Sequence, residues 1–281
     1  MLFKNKNKNT DKPKLDAKTS CYAIFIAAII ISFFYSPIAG LFLLILGILL
    51  LLFTNRANIM MYMGYSQYNK NNYAKGLKLM KSAHLSSAGT MNNSYHYAYM
   101  LLREGRCGDA KSAIRYAMLR GNLKEAEKYR GKEILSLIHY RMGDYEQATE
   151  IMQTVFEHYK SSNVYGSLGY YKILAKAADA ESFALEAYEY NKDDKVILDN
   201  LVQLYLNMGE YEKAKKYSDE AIAAQFTGIE TYYHAALVEK HLGNRKAAIE
   251  NFKKALSFTP TFLTTISTEE IQRQLEILEK E

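Results

Sequence analysis

The residues able to do chemistry are scattered through the chain. Of six histidines in 281 residues, only His234 and His241 fall on one helix face, seven positions apart. Metal ligands on a helix usually stand a single turn apart, so the two read as a surface pair. Cys21 and Cys107 lie in different contexts, without metal-ligand spacing or a disulfide framework, which fits a reducing compartment. Arg103 and Arg106 beside Cys107 are neighbours of the kind that activate a thiol. No base accompanies them, and Cys107 reads as an inert turn residue. Gly105-Arg106-Cys107-Gly108 and Gly166-Ser167-Leu168-Gly169 lack the Lys-Ser/Thr or strand context of a phosphate loop. The 30 carboxylates are spread at helical spacing and read as solvated faces. The expectation is therefore no catalytic, metal-binding or cofactor-binding residue, and no enzyme.

What remains is recognition, and the residues for it must be positioned by helices. Three prolines and 49% apolar residues, rich in Ala, Leu, Lys and Glu, favour an all-α chain with a large core. Between Leu198 and Pro260 one pattern is stated and restated 34 residues later. Leu201, Tyr205, Gly209, Tyr211, Ala214 and Ala221 form the first copy. Ala235, Gly243, Ala248, Phe252, Ala255 and Pro260 occupy the same frame in the second. Gly209 and Gly243 suit the positive φ that ends a helix. Ala214, Ala221, Ala248 and Ala255 let two antiparallel helices approach, and Pro260 stops the second helix. With its 34-residue period and small-large-small signature on a helix–turn–helix unit, the stretch resembles a tetratricopeptide repeat.

Carried backwards, the frame finds further units with lower fidelity. Their turn positions fall at Asn71, Gly105, Gly143 and Ala175, giving spacings of 34, 38, 32, 34 and 34 through Gly243. The long spacing has two readings. Either one extra helical turn is inserted around Leu123–Arg130, or Gly121–Ala126 is itself a turn and the start of a second helix. The resemblance covers residues 57–262 and implies a right-handed α-solenoid of about six helix–turn–helix repeats. Thr268–Glu281, with Ile271, Leu275 and Leu278 in one stripe, reads as a capping helix within 266–281.

In that family the concave face is lined by the first helix of each unit. The corresponding positions here are Tyr62, Tyr65, Tyr95, Tyr99, Arg103, Arg130, Tyr140, Arg141, Tyr165, Asn200 and Tyr233. Tyrosine and arginine are enriched in binding hot spots. The same tyrosines have a second reading as packing residues, since the chain holds 24 of them. The family's carboxylate clamp needs a lysine and an asparagine where the first unit has Met61 and Tyr65 and the second has Tyr95 and Tyr99. A chaperone C-terminus is thus not the expected ligand.

Ahead of the repeats, residues 1–20 carry six lysines against two aspartates and read as a basic disordered tail. This leaves only +2 of the net +6 for the remaining chain, too balanced for a nucleic-acid binder. Cys21–Phe53 holds no charged residue and is divided by Ser36-Pro37. As one helix it would reach about 50 Å against a hydrocarbon core of roughly 30 Å. The preferred reading is a transmembrane hairpin over 21–54, with spans at about 21–36 and 38–54. A single kinked span, a cleaved signal peptide and a buried core hairpin fit less well. Lysines before the hairpin, with Arg56, Lys70 and Lys75 after it, place both ends on the cytoplasmic side. The whole resembles a membrane-anchored bacterial-type tetratricopeptide protein. The expected role is a scaffold or adaptor that binds a protein or peptide at the cytoplasmic membrane face. The alternative is an assembly or chaperone factor for membrane or envelope proteins whose hairpin contacts client spans. A DNA-binding regulator would need a domain for which residues 1–56 offer no material.

Overall fold

The computed structural model describes residues 17–120 and 123–280, and among them every regular element is a helix. The expected basic tail lies outside the described residues up to position 16. Helix α1 begins at Ala17, so the last four residues of that stretch are helical.

Two compact units meet at Gly89 and Thr90. The first contains α1 (Ala17–Tyr35), α2 (Pro37–Thr54), α3 (Arg56–Asn69) and α4 (Tyr73–Leu85). The first helix pair therefore groups with the apolar helices. Only Asn55 separates α2 from α3, which leaves no linker to part them. Ser36 alone joins α1 to α2: its backbone is extended and its Oγ accepts the Ala39 N–H at 3.4 Å. Pro37 follows at the first helical position, where a missing N–H costs nothing. The two helices pack antiparallel with two glycines as notches. A Cβ on Gly40 would stand 2.5 Å from the Phe33 ring, and one on Gly47 2.7 Å from Phe25. The outward side chains are apolar and exposed, as at Phe34 (85%), Ile24 (70%) and Phe42 (67%). Pro37–Thr54 is long and apolar enough to cross a membrane, while the apolar stretch Cys21–Tyr35 is shorter.

In the second unit, α5 (Met91–Arg103) to α14 (Arg245–Leu256) follow as helix pairs. The pairs are α5 with α6 (Cys107–Leu119), α7 (Glu125–Arg141) with α8 (Tyr145–Phe156), and α9 (Ser162–Leu174) with α10 (Ala180–Tyr190). They continue with α11 (Lys195–Met208) and α12 (Tyr211–Ala223), then α13 (Ile229–His241) and α14, closed by α15 (Thr268–Lys280). The turn inside each pair has one construction, and α3–α4 of the first unit shares it. A left-handed residue follows the first helix, and the next N–H reaches back five residues to a helix carbonyl. Arg106 N–H donates to Leu101 O at 2.8 Å and Gly105 N–H to Leu102 O at 3.0 Å. Glu210 N–H donates to Tyr205 O at 2.9 Å and Gly209 N–H to Leu206 O at 3.1 Å. This double bond pattern satisfies helix-end carbonyls that would otherwise be orphaned.

Glycine supplies the left-handed residue in four of the six turns, with φ near +71 to +81° at Gly105, Gly143, Gly209 and Gly243, and Asn71 (φ 62°) supplies a fifth. In the α9–α10 turn the residue is Lys176 (φ 53°), not Ala175, which is still right-handed at φ −74°. The left-handed residue thus slips one position along the frame, α10 begins four residues beyond it where the other second helices begin two beyond, and Lys172 Nζ, buried at 7% exposure, ties the turn to Asp179 at 2.7 Å. The long spacing resolves as an extra helical turn, since α7 runs unbroken for 17 residues. Gly121 and Asn122 lie outside the described residues.

Small residues stand where the helices of a pair cross. Ala98 and Ala110, Ser136 and Ala148, Val202 and Ala214, and Ala236 and Ala248 are all at most 2% exposed. Between pairs, larger side chains fill the gaps, as where Phe156, Tyr165 and Phe183 meet with ring centroids 4.8–5.6 Å apart. At the far end Ile271, Leu275 and Leu278 of α15 cover Phe252, Ala248 and Ala255, so the last pair keeps no open apolar face.

Candidate functional site

In the second unit the first helix of each pair, α5, α7, α9, α11 and α13, contributes to one lined groove, with three cavities along it. The first, about 520 Å³, lies between Tyr95 and Tyr99 of α5, Ile134 and Leu137 of α7, and Ser167 and Tyr171 of α9. The middle one, about 340 Å³, is lined by Tyr140, Tyr170, Asp199, Asn200, Gln203, Glu230 and His234. The third, about 710 Å³, reaches from Tyr140 and Arg141 across Gln203 and Asn207 to Tyr233 and Leu237. A helix repeats every 3.6 residues, so residues three, four and seven apart on each first helix turn to this side.

Most of the expected groove residues are brought together here. Tyr95 and Tyr99 stack at 6.3 Å, and the Arg130 guanidinium lies 4.6 Å from the Tyr95 ring centre. Burial pushes the Tyr95 phenol up against the opposing pull of Arg130, and His96 is pushed down by burial and by the same arginine. Tyr140 packs on Tyr171 at 5.4 Å and on Tyr170 at 5.6 Å, and burial holds both Tyr140 and Tyr171 well above the ordinary phenol range. Arg141 and Tyr233 line the third cavity. Asn200 faces the middle one, and its Nδ2 donates to Gly166 O at 2.8 Å, bridging consecutive pairs. Arg103 sits at the outer end, 6.0 Å from the ring of Phe262, which in turn meets Tyr99 edge-on at 4.9 Å.

Three expected residues stand elsewhere. Tyr165 is 3% exposed and belongs to the core between α8, α9 and α10, with its hydroxyl donating to Glu186 at 2.8 Å. Its position follows the first-helix frame, but the one-residue slip of the α9–α10 pair accompanies its inward turn. Tyr62 and Tyr65 lie on α3 in the first unit, the former 77% exposed.

Two further residues carry the polar character of the groove. His234, expected as half of a surface pair, is only 8% exposed, and its Nδ1 has no hydrogen-bond partner. Burial lowers its pKa to about 4, so it is neutral at physiological pH. His241 instead lies outside and stacks on Tyr211 at 4.3 Å. Asp199 accepts from Thr231 Oγ1 at 3.0 Å through one oxygen, while the other, Oδ1, is sealed from solvent without a partner. Burial raises its pKa to about 7. Nothing in the repeat period distinguishes this carboxylate from its solvated counterparts. Only its place among Leu198, Asn200 and Leu201, all buried, marks it. Cys107 opens α6 half-buried, next to an Arg106–Asp109 ion pair at 2.6 Å. Among the described residues, no group of three or more His, Cys, Asp or Glu could hold a metal ion. The groove offers stacking surfaces, guanidinium groups and two unpartnered polar atoms, which is equipment for holding a ligand.

Comparison with known proteins agrees with the geometry. The tetratricopeptide-repeat model matches residues 197–227 and 229–262, the last two pairs before α15. No curated protein matches the chain in sequence. Among solved structures, a tetratricopeptide repeat protein from Parabacteroides merdae superposes with a TM-score of 0.66 at 14% identity, covering 80% of this chain and 85% of its own. A thermophilic protein of the same repeat class from Thermus thermophilus gives 0.56 at 17% identity, over 68% of this chain and all of its own. PilF of Pseudomonas aeruginosa gives 0.56 at 16% identity, over 79% and 99%. The two matched units thus carry the tetratricopeptide-repeat pattern, and the helix pairs from Asn71 to Gly243 share one turn geometry and the fold of these repeat proteins.

Proposed function

We propose that the chain is a membrane-anchored adaptor whose repeat array binds a protein or peptide through the groove of its first helices. The observation that carries this reading is the groove itself. Five first helices turn tyrosines, an arginine and two unsatisfied polar atoms toward the same cavities. Buried polar groups normally find partners, so orphaned atoms in a groove are consistent with a ligand that completes them. The anchor rests on α1 and α2, whose exposed large side chains, among the described residues, are Ile, Leu, Phe and Tyr. Exposed apolar surface of that extent marks contact with lipid or with another protein. Two antiparallel helices would return the chain to the side from which it entered, and the flanking basic residues select the cytoplasm. Confinement to a surface then raises the effective concentration of whatever the array recruits.

A photocrosslinking residue at Tyr99 in the full chain, expressed in cells, should capture a discrete protein, and one at exposed Lys216 on α12 should not. Equal capture from both positions would sink the groove reading. Reporter fusions after Arg56 and after Lys280 should both report the cytoplasm, and an external signal from either would remove the hairpin topology.

A further inference from the structure

The chain does not run directly from α14 to its capping helix. Residues Pro260–Ile266 enter the groove and border all three cavities. Phe262 meets Tyr99 edge-on at 4.9 Å and lies 6.0 Å from the Arg103 guanidinium, although α5 is separated from this connector by four helix pairs in sequence. The Thr265 N–H donates to Glu230 Oε1 at 3.1 Å. Phe262, Thr264 and Ile266 are half-buried while Thr261, Leu263 and Thr265 are exposed. Phe262 and Leu263 form a turn, closed by the Thr264 N–H donating to Thr261 O at 3.1 Å, and this turn sets the Phe262 ring against Tyr99.

The segment fills the groove incompletely. Leu263 is 41% exposed, and the Asp199 Oδ1 and His234 Nδ1 bordering the same cavity stay unpartnered. Ser257–Thr268 carries no charge and is built of Thr, Ser, Phe, Leu, Ile and one Pro. We propose that Thr261–Ile266 is an in-cis occupant of the groove, and that the partner is an uncharged segment of like chemistry that displaces it. An aromatic residue of the partner takes the Tyr99–Arg103 position, and its backbone or hydroxyl groups reach the two atoms the strap leaves unsatisfied. This deepens the groove reading above and rests on it. A strap that satisfies fewer polar groups than its competitor is a gate that opens only for a better-matched ligand, because leaving buried polar atoms unpaired penalises the closed state.

The test uses a fluorescently labelled synthetic peptide with the sequence of residues 259–268, titrated into the full chain in detergent micelles. Three proteins are compared: the unaltered chain, Phe262→Ala/Ile266→Ala, and that pair combined with Tyr99→Ala. As a guard against misfolding, a fourth replaces Thr261–Ile266 with a Gly-Ser linker of equal length. Release of the strap by either route should tighten peptide binding at least about tenfold, about 1.4 kcal/mol, and Tyr99→Ala should reverse the gain. In the unaltered chain, saturating peptide should speed hydrogen exchange at the Thr265 amide. Equal affinity in the unaltered and both released chains, or a gain indifferent to Tyr99→Ala, overturns the strap. If affinities are equal while crosslinking from Tyr99 still captures a protein, the strap alone has failed and the groove reading stands. A released chain that binds the peptide while Tyr99 captures nothing in cells keeps the strap and rejects the cellular role.

Discussion

Gly209 and Lys176 occupy corresponding turns with opposite fitness for them, which allows a paired test. At Gly209 the backbone has φ +73°, and a Cβ built there would meet nothing within 4 Å. Gly209→Ala therefore introduces no clash, and its effect is purely conformational. A side chain in the left-handed region costs about 1–2 kcal/mol. Alanine recovers part of that by restricting the unfolded chain, about 0.5–1 kcal/mol. The net loss should be about 1 kcal/mol. Lys176 already carries the left-handed cost at φ 53°, is exposed, and has none of the steric relief that glycine would bring. Lys176→Gly should then stabilise by about 0.5–1 kcal/mol from the same arithmetic with its sign reversed. Urea denaturation of the full chain in micelles, followed by helical circular dichroism, reads both as midpoint shifts at constant slope. A Lys176→Gly protein less stable than its parent would refute the left-handed assignment of that turn. A Gly209→Ala loss beyond about 3 kcal/mol would mean that side-chain crowding, not backbone conformation, governs the position.

Three further outcomes follow from packing and charge. Phe252→Ala, removing a ring with no solvent exposure beneath α15, should cost about 3–5 kcal/mol and free the capping helix, visible as proteolytic release of residues 268–280. Asp199 binds its proton more tightly folded than unfolded, so the stability it contributes is full below about pH 4 and is lost as pH rises toward 7. His234 binds its proton less tightly folded, so its contribution is present above about pH 6.5 and is lost as pH falls toward 4. The two slopes oppose each other between about pH 4 and 6.5. Asp199→Asn should leave stability rising with pH in that window, and His234→Gln should leave it falling, each at most about 1.4 kcal/mol per pH unit. Urea midpoints across pH 4–7 decide, and slopes of the same sign in the two variants would contradict the burial of one group or the other.

Much of the array was legible because its physics is local. Gly105, Gly143, Gly209 and Gly243 sit where a positive φ is needed, and Ala98, Ala110, Ala148, Ala214 and Ala248 where backbones cross. Each constraint acts within one helix pair and leaves a residue-type signature at a fixed offset. The α9–α10 turn misled by one position because its left-handed residue is a lysine, whose type does not announce the conformation. The groove was legible only in part. Its first-helix face follows from the period, so Tyr95, Tyr99, Tyr140, Arg141, Asn200 and Tyr233 could be placed. Tyr165 could not, since a tyrosine fits the core of a repeat junction as readily as a groove, and there the pairing is offset. Asp199 was hidden for a related reason. Its burial depends on neighbours more than thirty residues away, such as Thr231, and on the connector that lies along it.

An ordinary stack of repeats touches only its neighbours and can fray from either end like an unclamped spring. Phe262 against Tyr99 makes the second unit behave more like a bracelet with its clasp fastened. Loosening at α13 and α14 would slacken the clasp that bears on α5, so distant turns of the coil are mechanically coupled without touching. A ligand that unfastens the clasp would then do more than gain a seat: it would return the coil to its elastic form, free to change pitch around whatever it holds.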